Sequence, residues 1–384
     1  MQPSDLRVAL FSGNYNYVRD GANQALNLLV DYLLRQGVKV RVYSPTTSTP
    51  AFEPAGDLVS VPALPVPGGR AEYKFAVNLP ASIRRDLEAF APNIVHVSAP
   101  EVLGHRAVSW ARKRGIAAVA SLHTRFETYP SYYRLGFLEP LLIKGLTRFY
   151  NRVEQVVTPG ESTADLIRSW GVKTPIRIWS RGVNHDRFNP GMRSLEWRRS
   201  LGIADDEFAI GFLGRLVLEK GLDIFADVCN ALTARGVPHR VLIVGDGPAR
   251  EWFAERVPEA AFAGFQRGEA LGRAVASMDV LFNPSVTETF GNVTLESMAC
   301  GVPVVAARAT GAIDLVEEGV NGFLVPPRDV NAYADAIARL AQDPELRTSA
   351  GTAGHAKAQA YKWDAINQSV LDTYLEVMAR REAR

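Results

Sequence analysis

Two short apolar runs govern what this chain can become. Leu6 to Phe11 and Phe208 to Leu213 each read as a buried strand, and each leads through a glycine-containing loop into a helix-like stretch. After the first, Ala25, Leu26, Leu29, Val30, Leu33 and Leu34 make one helical face; Gly37 stops that helix, and Val38 to Tyr43 is the next strand. Strand, glycine loop, helix, strand is the unit of a doubly wound parallel sheet. Its appearance in both halves predicts an α/β chain with two such sheets. A length of 384 residues is ample for two domains, each with its own core.

Several classes fall away. No apolar run approaches the ~18 residues a spanning helix needs. Met1 to Asp5 is polar and runs straight into the first strand, so no signal peptide is expected. Cys229 and Cys300 lie in helix-like segments without a Cys-x-x-Cys pair, which argues against a disulfide framework or a zinc site and suits a reducing cytoplasm. The net charge of +2 hides an asymmetry. Residues 1–190 hold 23 Lys and Arg against 15 Asp and Glu, a net of +8, and the remainder 20 against 26, a net of −6. A basic first half predicts an anionic surface as its partner. With no nucleic-acid motif in the chain, a membrane leaflet is expected rather than nucleic acid.

The densest chemistry lies three quarters of the way along. Met278 to Ser285 is an apolar strand ending at Pro284-Ser285, and Glu288-Thr289-Phe290-Gly291-Asn292-Val293-Thr294-Leu295-Glu296 follows. The N–H groups around Gly291, Asn292 and Val293 open a helix and lack intrahelical partners, which makes an anion site. Glu296, one turn on, is placed to accept hydrogen bonds from sugar hydroxyls. Two carboxylates and a free helix terminus suit a nucleotide-sugar, although on spacing alone two glutamates eight apart, such as Glu288 and Glu296, are usually solvated charges. Earlier, Gly214-Arg215-Leu216-Val217-Leu218-Glu219-Lys220-Gly221 puts two cations around a loop before a helix, within reach of one diphosphate. Gly245-Asp246-Gly247-Pro248 is a poor dinucleotide fingerprint and reads as a tight strand-to-helix turn.

The Glu288-to-Glu296 segment resembles the E-x7-E motif of retaining glycosyltransferases of the GT-B fold, and almost the whole chain resembles glycosyltransferase family 4. The resemblance implies two Rossmann-like doubly wound domains facing a central cleft. Residues 1–182 would bind acceptor, 183–362 would bind the nucleotide-sugar, and a final helix in 363–384 would cross back to the first domain. It assigns Arg215 and Lys220 to the donor diphosphate, Glu288 to sugar hydroxyls and Glu296 to the ribose. Gly21, Gly245, Phe265, Phe290, Gly291, Asn292 and Val293 are the further donor contacts. At Gly21 the family often carries a Gly-Gly pair; this chain has Gly21-Ala22.

His123, leaving the strand Ile116 to Leu122, is otherwise an ordinary structural histidine. The run His123-Thr124-Arg125-Phe126-Glu127-Thr128-Tyr129 is similar to the acceptor-side loop of the family's lipid enzymes. The likeness sets His123 beside the transferred sugar and turns Arg125, Glu127 and Tyr129 to the acceptor. The expected catalytic set is therefore His123, Glu288, Arg215 and Lys220, with no metal and no cofactor.

The implied activity is transfer of a hexose from a UDP- or GDP-sugar to a hydroxyl of a membrane lipid such as diacylglycerol. Configuration would be retained by front-face attack, as in bacterial mannosyl-, glucosyl-, glucuronosyl- and sulfoquinovosyl-transferases. Polysaccharide or lipopolysaccharide assembly is the alternative, and a non-hydrolysing nucleotide-sugar epimerase or a binding module are more remote ones. The expected location is the inner face of the membrane, peripherally from the cytoplasm. Leu141 to Tyr150 interleaves apolar residues with Lys144 and Arg148, as a core helix or an interfacial one would. Arg84-Arg85 and Arg112-Lys113-Arg114 are candidates for the same face.

Overall fold

The computed structural model describes residues 1–17, 21–65, 74–128 and 136–383. Two compact units divide the chain: Met1–Arg181 with Trp363–Arg384, and Gly182–Lys362.

The first unit is built on a seven-stranded sheet in the order β3-β2-β1-β6-β7-β8-β9, parallel throughout. Its strands are β1 (Arg7–Phe11), β2 (Lys39–Ser44), β3 (Asp57–Ser60), β6 (Ile94–Val97), β7 (Ala117–Ser121), β8 (Gln155–Thr158) and β9 (Ile176–Ile178). After β3 a separate antiparallel pair forms, β4 (Leu64–Pro65) with β5 (Lys74–Phe75). Central strands are apolar on both faces because helices cover both, so they read as continuous runs rather than alternations. One face is sealed by the helices Ala81–Phe90 and Val102–Lys113, through Ile83, Leu87, Leu103 and Val108. The other carries the helix Gly21–Arg35 and the final helix Trp363–Glu382, which buries Val370, Leu371, Tyr374 and Val377.

Polar bonds fix that final helix in place. His96, buried on β6, has Nδ1 2.5 Å from the Tyr374 hydroxyl and Nε2 bonded to Ser121 Oγ. Burial lowers its pKa to about 3, so it is neutral. Trp179 Nε1 donates to Asn367 Oδ1 over 3.3 Å.

The second unit repeats the plan with six parallel strands in the order β12-β11-β10-β13-β14-β15. These are β10 (Ala209–Leu213), β11 (Arg240–Val244), β12 (Ala261–Gly264), β13 (Val280–Asn283), β14 (Val304–Ala307) and β15 (Gly322–Val325). Phe212, Phe225, Phe253 and Phe282 centre the core on one face; Leu281, Leu295, Met298 and Leu315 lie in the core on the other. Both cysteines are buried and free. Among the described residues no helix is long and apolar enough to cross a membrane.

Candidate active site

In each sheet the strand order reverses once, and open α/β sheets bind ligands at that point, beyond the carboxyl ends of the strands. In the second unit the reversal falls between β10 and β13. The loops leaving these strands carry Arg215 to Gly221 and Pro284 to Gly291. They touch at Gly221, which has φ +76° and little space for a side chain: a Cβ there would lie 3.1 Å from both Cγ and O of Pro284. The approach brings Lys220 Nζ to 2.5 Å from Glu288 Oε1. Arg215, on the same loop, is exposed.

The Glu288 loop is braced from the far side. Thr310 Oγ1 donates to the Glu288 carbonyl over 2.9 Å, and Gly311 lies so close to the Phe290 backbone that a Cβ would come within 2.8 Å of it. Gly291, at φ +93°, then opens the helix Asn292–Ala299 with no side-chain cap. The first N–H groups, those of Asn292 and Val293, are therefore left to the loop side. Phe290 itself is buried, so it supports the loop through its ring and leaves only backbone for a ligand.

Glu296 lies within that helix, and its carboxyl makes no hydrogen bond to any described residue. Burial raises its pKa to about 7, with Arg187 pulling the other way. A desolvated carboxyl of this kind is suited to hydroxyl donors from a ligand. Gly245 and Gly247 serve the architecture: a Cβ at Gly245 would sit 1.9 Å from the Gly214 carbonyl oxygen, and one at Gly247 2.4 Å from that of Leu216. They let the β11 loop pack onto the β10 loop. Phe265, at the exit of β12, exposes 60% of its surface, with the Arg267 guanidinium 4.9 Å from its ring centre. Arg215, Lys220, Gly245, Phe265, Glu288, Gly291, Asn292, Val293 and Glu296 thus all stand on loops, or the helix, beyond the carboxyl ends of β10 to β13.

In the first unit the reversal falls between β1 and β6. A cavity of about 530 Å³ opens there. Its polar lining includes Ser12, Asn14, Lys74, Glu101 and His123, and its apolar walls are Leu26, Phe75, Phe126, Leu142 and Leu146. Gly21 opens the helix Gly21–Arg35 nearby in sequence. His123 Nδ1 lies 2.6 Å from Arg181 Nη2, and its ring meets Trp179 edge-on at 5.1 Å between centres. Because guanidinium only donates, Nδ1 accepts and Nε2 carries the proton. Burial, then the charge of Arg181, hold the pKa of His123 well below the usual value, so it acts as a neutral donor.

Arg125 and Glu127 form an ion pair with each other, Glu127 nearly fully buried. Thr124 and Phe126, the alternate residues of the same loop, line the cavity instead. Tyr129 lies outside the described residues.

Two residues outside the expected site now matter. Arg181 is buried; it donates to the carbonyls of Trp179 and Ser180 and sets the His123 tautomer. Glu101, just before the helix Val102–Lys113, lines the cavity.

Comparison with known proteins gives a consistent result. The model for glycosyl transferases group 1 matches residues 207–343, and that for glycosyltransferase family 4 matches residues 19–187. The chain is 30% identical over 380 residues to a GDP-mannose-dependent alpha-mannosyltransferase of Corynebacterium glutamicum, covering 97% of this chain and 90% of that one. It is 30% identical over 376 residues to the sulfoquinovosyl transferase SQD2 of Arabidopsis thaliana, covering 95% and 72%. Among solved structures, sucrose-phosphate synthase from Thermosynechococcus elongatus superposes with a TM-score of 0.77 at 22% identity, over 98% of this chain and 100% of that one.

Proposed function

The chain belongs to glycosyltransferase family 4, and from that premise we propose that it moves a hexose from a nucleotide-diphosphate sugar to a hydroxyl of a membrane lipid, with retention and without a metal. The observation that carries the donor side is the Lys220–Glu288 contact beside the uncapped helix at Gly291. A diphosphate would take the helix N–H groups, Lys220 and Arg215, leaving Glu288 to bind sugar hydroxyls and Glu296 the ribose. The C1–O bond to the phosphate breaks, the acceptor oxygen bonds to C1 on the same face, and its proton passes to the leaving phosphate. Arg215 and Lys220 stabilise the charge that builds on that phosphate. His123, neutral and donating from Nε2, would hold a donor-sugar hydroxyl. The GDP-mannose-dependent relative makes GDP-mannose the first donor to test, and UDP-sugars the second.

The unit 1 cavity supports a lipid acceptor. Polar groups and five apolar side chains in one lining suit a hydroxylated head with an acyl stem. A polysaccharide end would leave those walls uncovered. Beside the cavity, Phe137 exposes 76% and Leu141 67% of their surfaces, while Lys144 and Arg148 are exposed further along the helix Glu139–Tyr150. Arg112, Lys113, Arg148 and Arg152 gather around one concavity and form no ion pair with a described residue. Apolar tips followed by bare cations suit an anionic leaflet.

The test is a panel of GDP- and UDP-sugars incubated with dioctanoylglycerol, with and without EDTA, and read by mass spectrometry. A hexosyl-diacylglycerol formed equally in EDTA is expected. Donor turnover that yields sugar on soluble oligosaccharides but never on the lipid would replace this reading with the glycan one.

A further inference from the structure

The loops leaving β1 and β6 face each other at the strand-order reversal of unit 1, and Glu101 ends the second of them. Glu101 is the single carboxyl among the described residues lining the cavity. It occupies the N-cap position of the helix Val102–Lys113, yet its side chain accepts no hydrogen bond from that helix. It forms no ion pair or side-chain hydrogen bond with any described residue. Lys74, the cation in the same lining, donates instead to the Thr46 carbonyl over 2.6 Å.

The fold makes room for this unpaired group. The carboxyl lies directly on the backbone of Gly13: a Cβ there would come 1.8 Å from Oε2 and 2.4 Å from Oε1. Gly13 has no left-handed backbone angle to explain its identity, so space for Glu101 is what the glycine provides. Burial raises the Glu101 carboxyl to about 7. A carboxyl that is largely buried, unpaired and turned to a cavity is suited to hydrogen-bond donors that enter it.

We propose that Glu101 selects the acceptor: it accepts hydrogen bonds from hydroxyls of a neutral polyol head group and repels head groups that carry a phosphate. This deepens the lipid-transferase reading and rests on it. Glu101 is a specificity determinant that touches the acceptor. The proton of the attacking hydroxyl still leaves with the phosphate of the donor.

The experiment uses the full chain, its Glu101→Gln variant and its Gly13→Ala variant, which forces the carboxyl aside without removing it. Acceptors are monooctanoylglycerol, which keeps a second hydroxyl for Glu101 beside the one that attacks, and dioctanoyl phosphatidylglycerol, at saturating donor. The wild type should prefer the neutral lipid. Glu101→Gln should raise the KM for monooctanoylglycerol roughly ten- to a hundredfold, the worth of a hydrogen bond to a charged group, and narrow the preference. Donor KM should change far less than the acceptor KM. Gly13→Ala should move the acceptor preference the same way.

A pH profile separates recognition from mere support. The titratable and charged side chains lining the cavity beside Glu101 are Tyr17, Lys74 and His123, and burial keeps His123 neutral. Wild-type kcat/KM for the neutral lipid should therefore rise from pH 6 to 8 relative to Glu101→Gln. An unchanged acceptor preference with parallel pH profiles overturns the proposal. If the wild type hydrolyses donor but glycosylates neither lipid, the lipid reading fails. The same preference, lost in Glu101→Gln, is then expected for glucose over glucose 6-phosphate, and its absence there also overturns the proposal.

Discussion

Replacing Lys220 with alanine separates catalysis from folding. The ammonium lies 2.5 Å from the Glu288 carboxylate, with a third of the Lys220 side chain and less than a fifth of that of Glu288 exposed. Two unit charges 4 Å apart attract by ~4 kcal/mol at an effective dielectric of 20. Desolvation and partial exposure cancel most of that, so the pair contributes about 1 kcal/mol to folding. In a unit of this size that is a Tm loss of roughly 2–4 °C. The effect on turnover is larger. The variant loses a cation placed to stabilise the leaving phosphate, worth about 10²–10³ in rate, and leaves Glu288 uncompensated beside the incoming diphosphate. Initial rates at subsaturating donor should thus fall by two to three orders of magnitude, against a small shift in a melting curve of the same sample. Adding Glu288→Gln should then cost less than in the wild-type background, because the two groups act together. A Lys220→Ala enzyme within about threefold of the wild type in kcat/KM, or one whose activity falls only in step with unfolding, would refute the diphosphate role.

Further expectations follow from the buried groups and the exposed helix. Glu296, ordinarily near 4.5 and raised to about 7, binds more protons folded than unfolded between those values. Its stability contribution is therefore complete below pH 4.5, falls as pH rises toward 7, and is lost above it. Glu296→Gln should be more stable than the wild type by on the order of 2–3 kcal/mol at pH 8 and by far less at pH 5, measured by denaturant unfolding; an equal difference at both would contradict the burial. Tyr374→Phe leaves His96 Nδ1 without its partner in a dry site and should cost about 1–2 kcal/mol; an unshifted denaturation midpoint would remove the His96 anchor for the final helix. Arg148→Glu and Leu141→Glu should each weaken sedimentation with phosphatidylglycerol vesicles roughly tenfold at low salt, and wild-type protein that ignores such vesicles would end the membrane reading.

The parts of this molecule legible in its sequence are those written in local pattern. Apolar runs buried on both faces announce the strands, and 3.6-residue periodicity announces the helices between them. The cation pair Arg215 and Lys220 and the carboxylates Glu288 and Glu296 were visible because each falls on a loop or helix start that the pattern already locates. That Lys220 meets Glu288 was not visible, since the contact depends on Gly221 fitting against Pro284. Glu101 was hidden for a similar reason. A glutamate after Ser98-Ala99-Pro100 and before a helix looks like a solvated first-turn charge; its burial comes from Gly13, on another strand's loop. Arg181 was not legible because its work is done on His123, a neighbour only in space. A signal did exist for Glu101: it leaves the strand next to the point where the sheet order reverses, as His123 leaves the strand beyond it.

Transfer with retention is read directly from the anomeric linkage of the product. The enzyme is incubated with dioctanoylglycerol and whichever α-configured nucleotide-sugar it consumes, and the glycolipid is examined by proton and carbon NMR at the anomeric position. One α-linked hexose on the free glycerol hydroxyl is expected. A β-linked product, or release of free or isomerised sugar with no glycolipid, would contradict it.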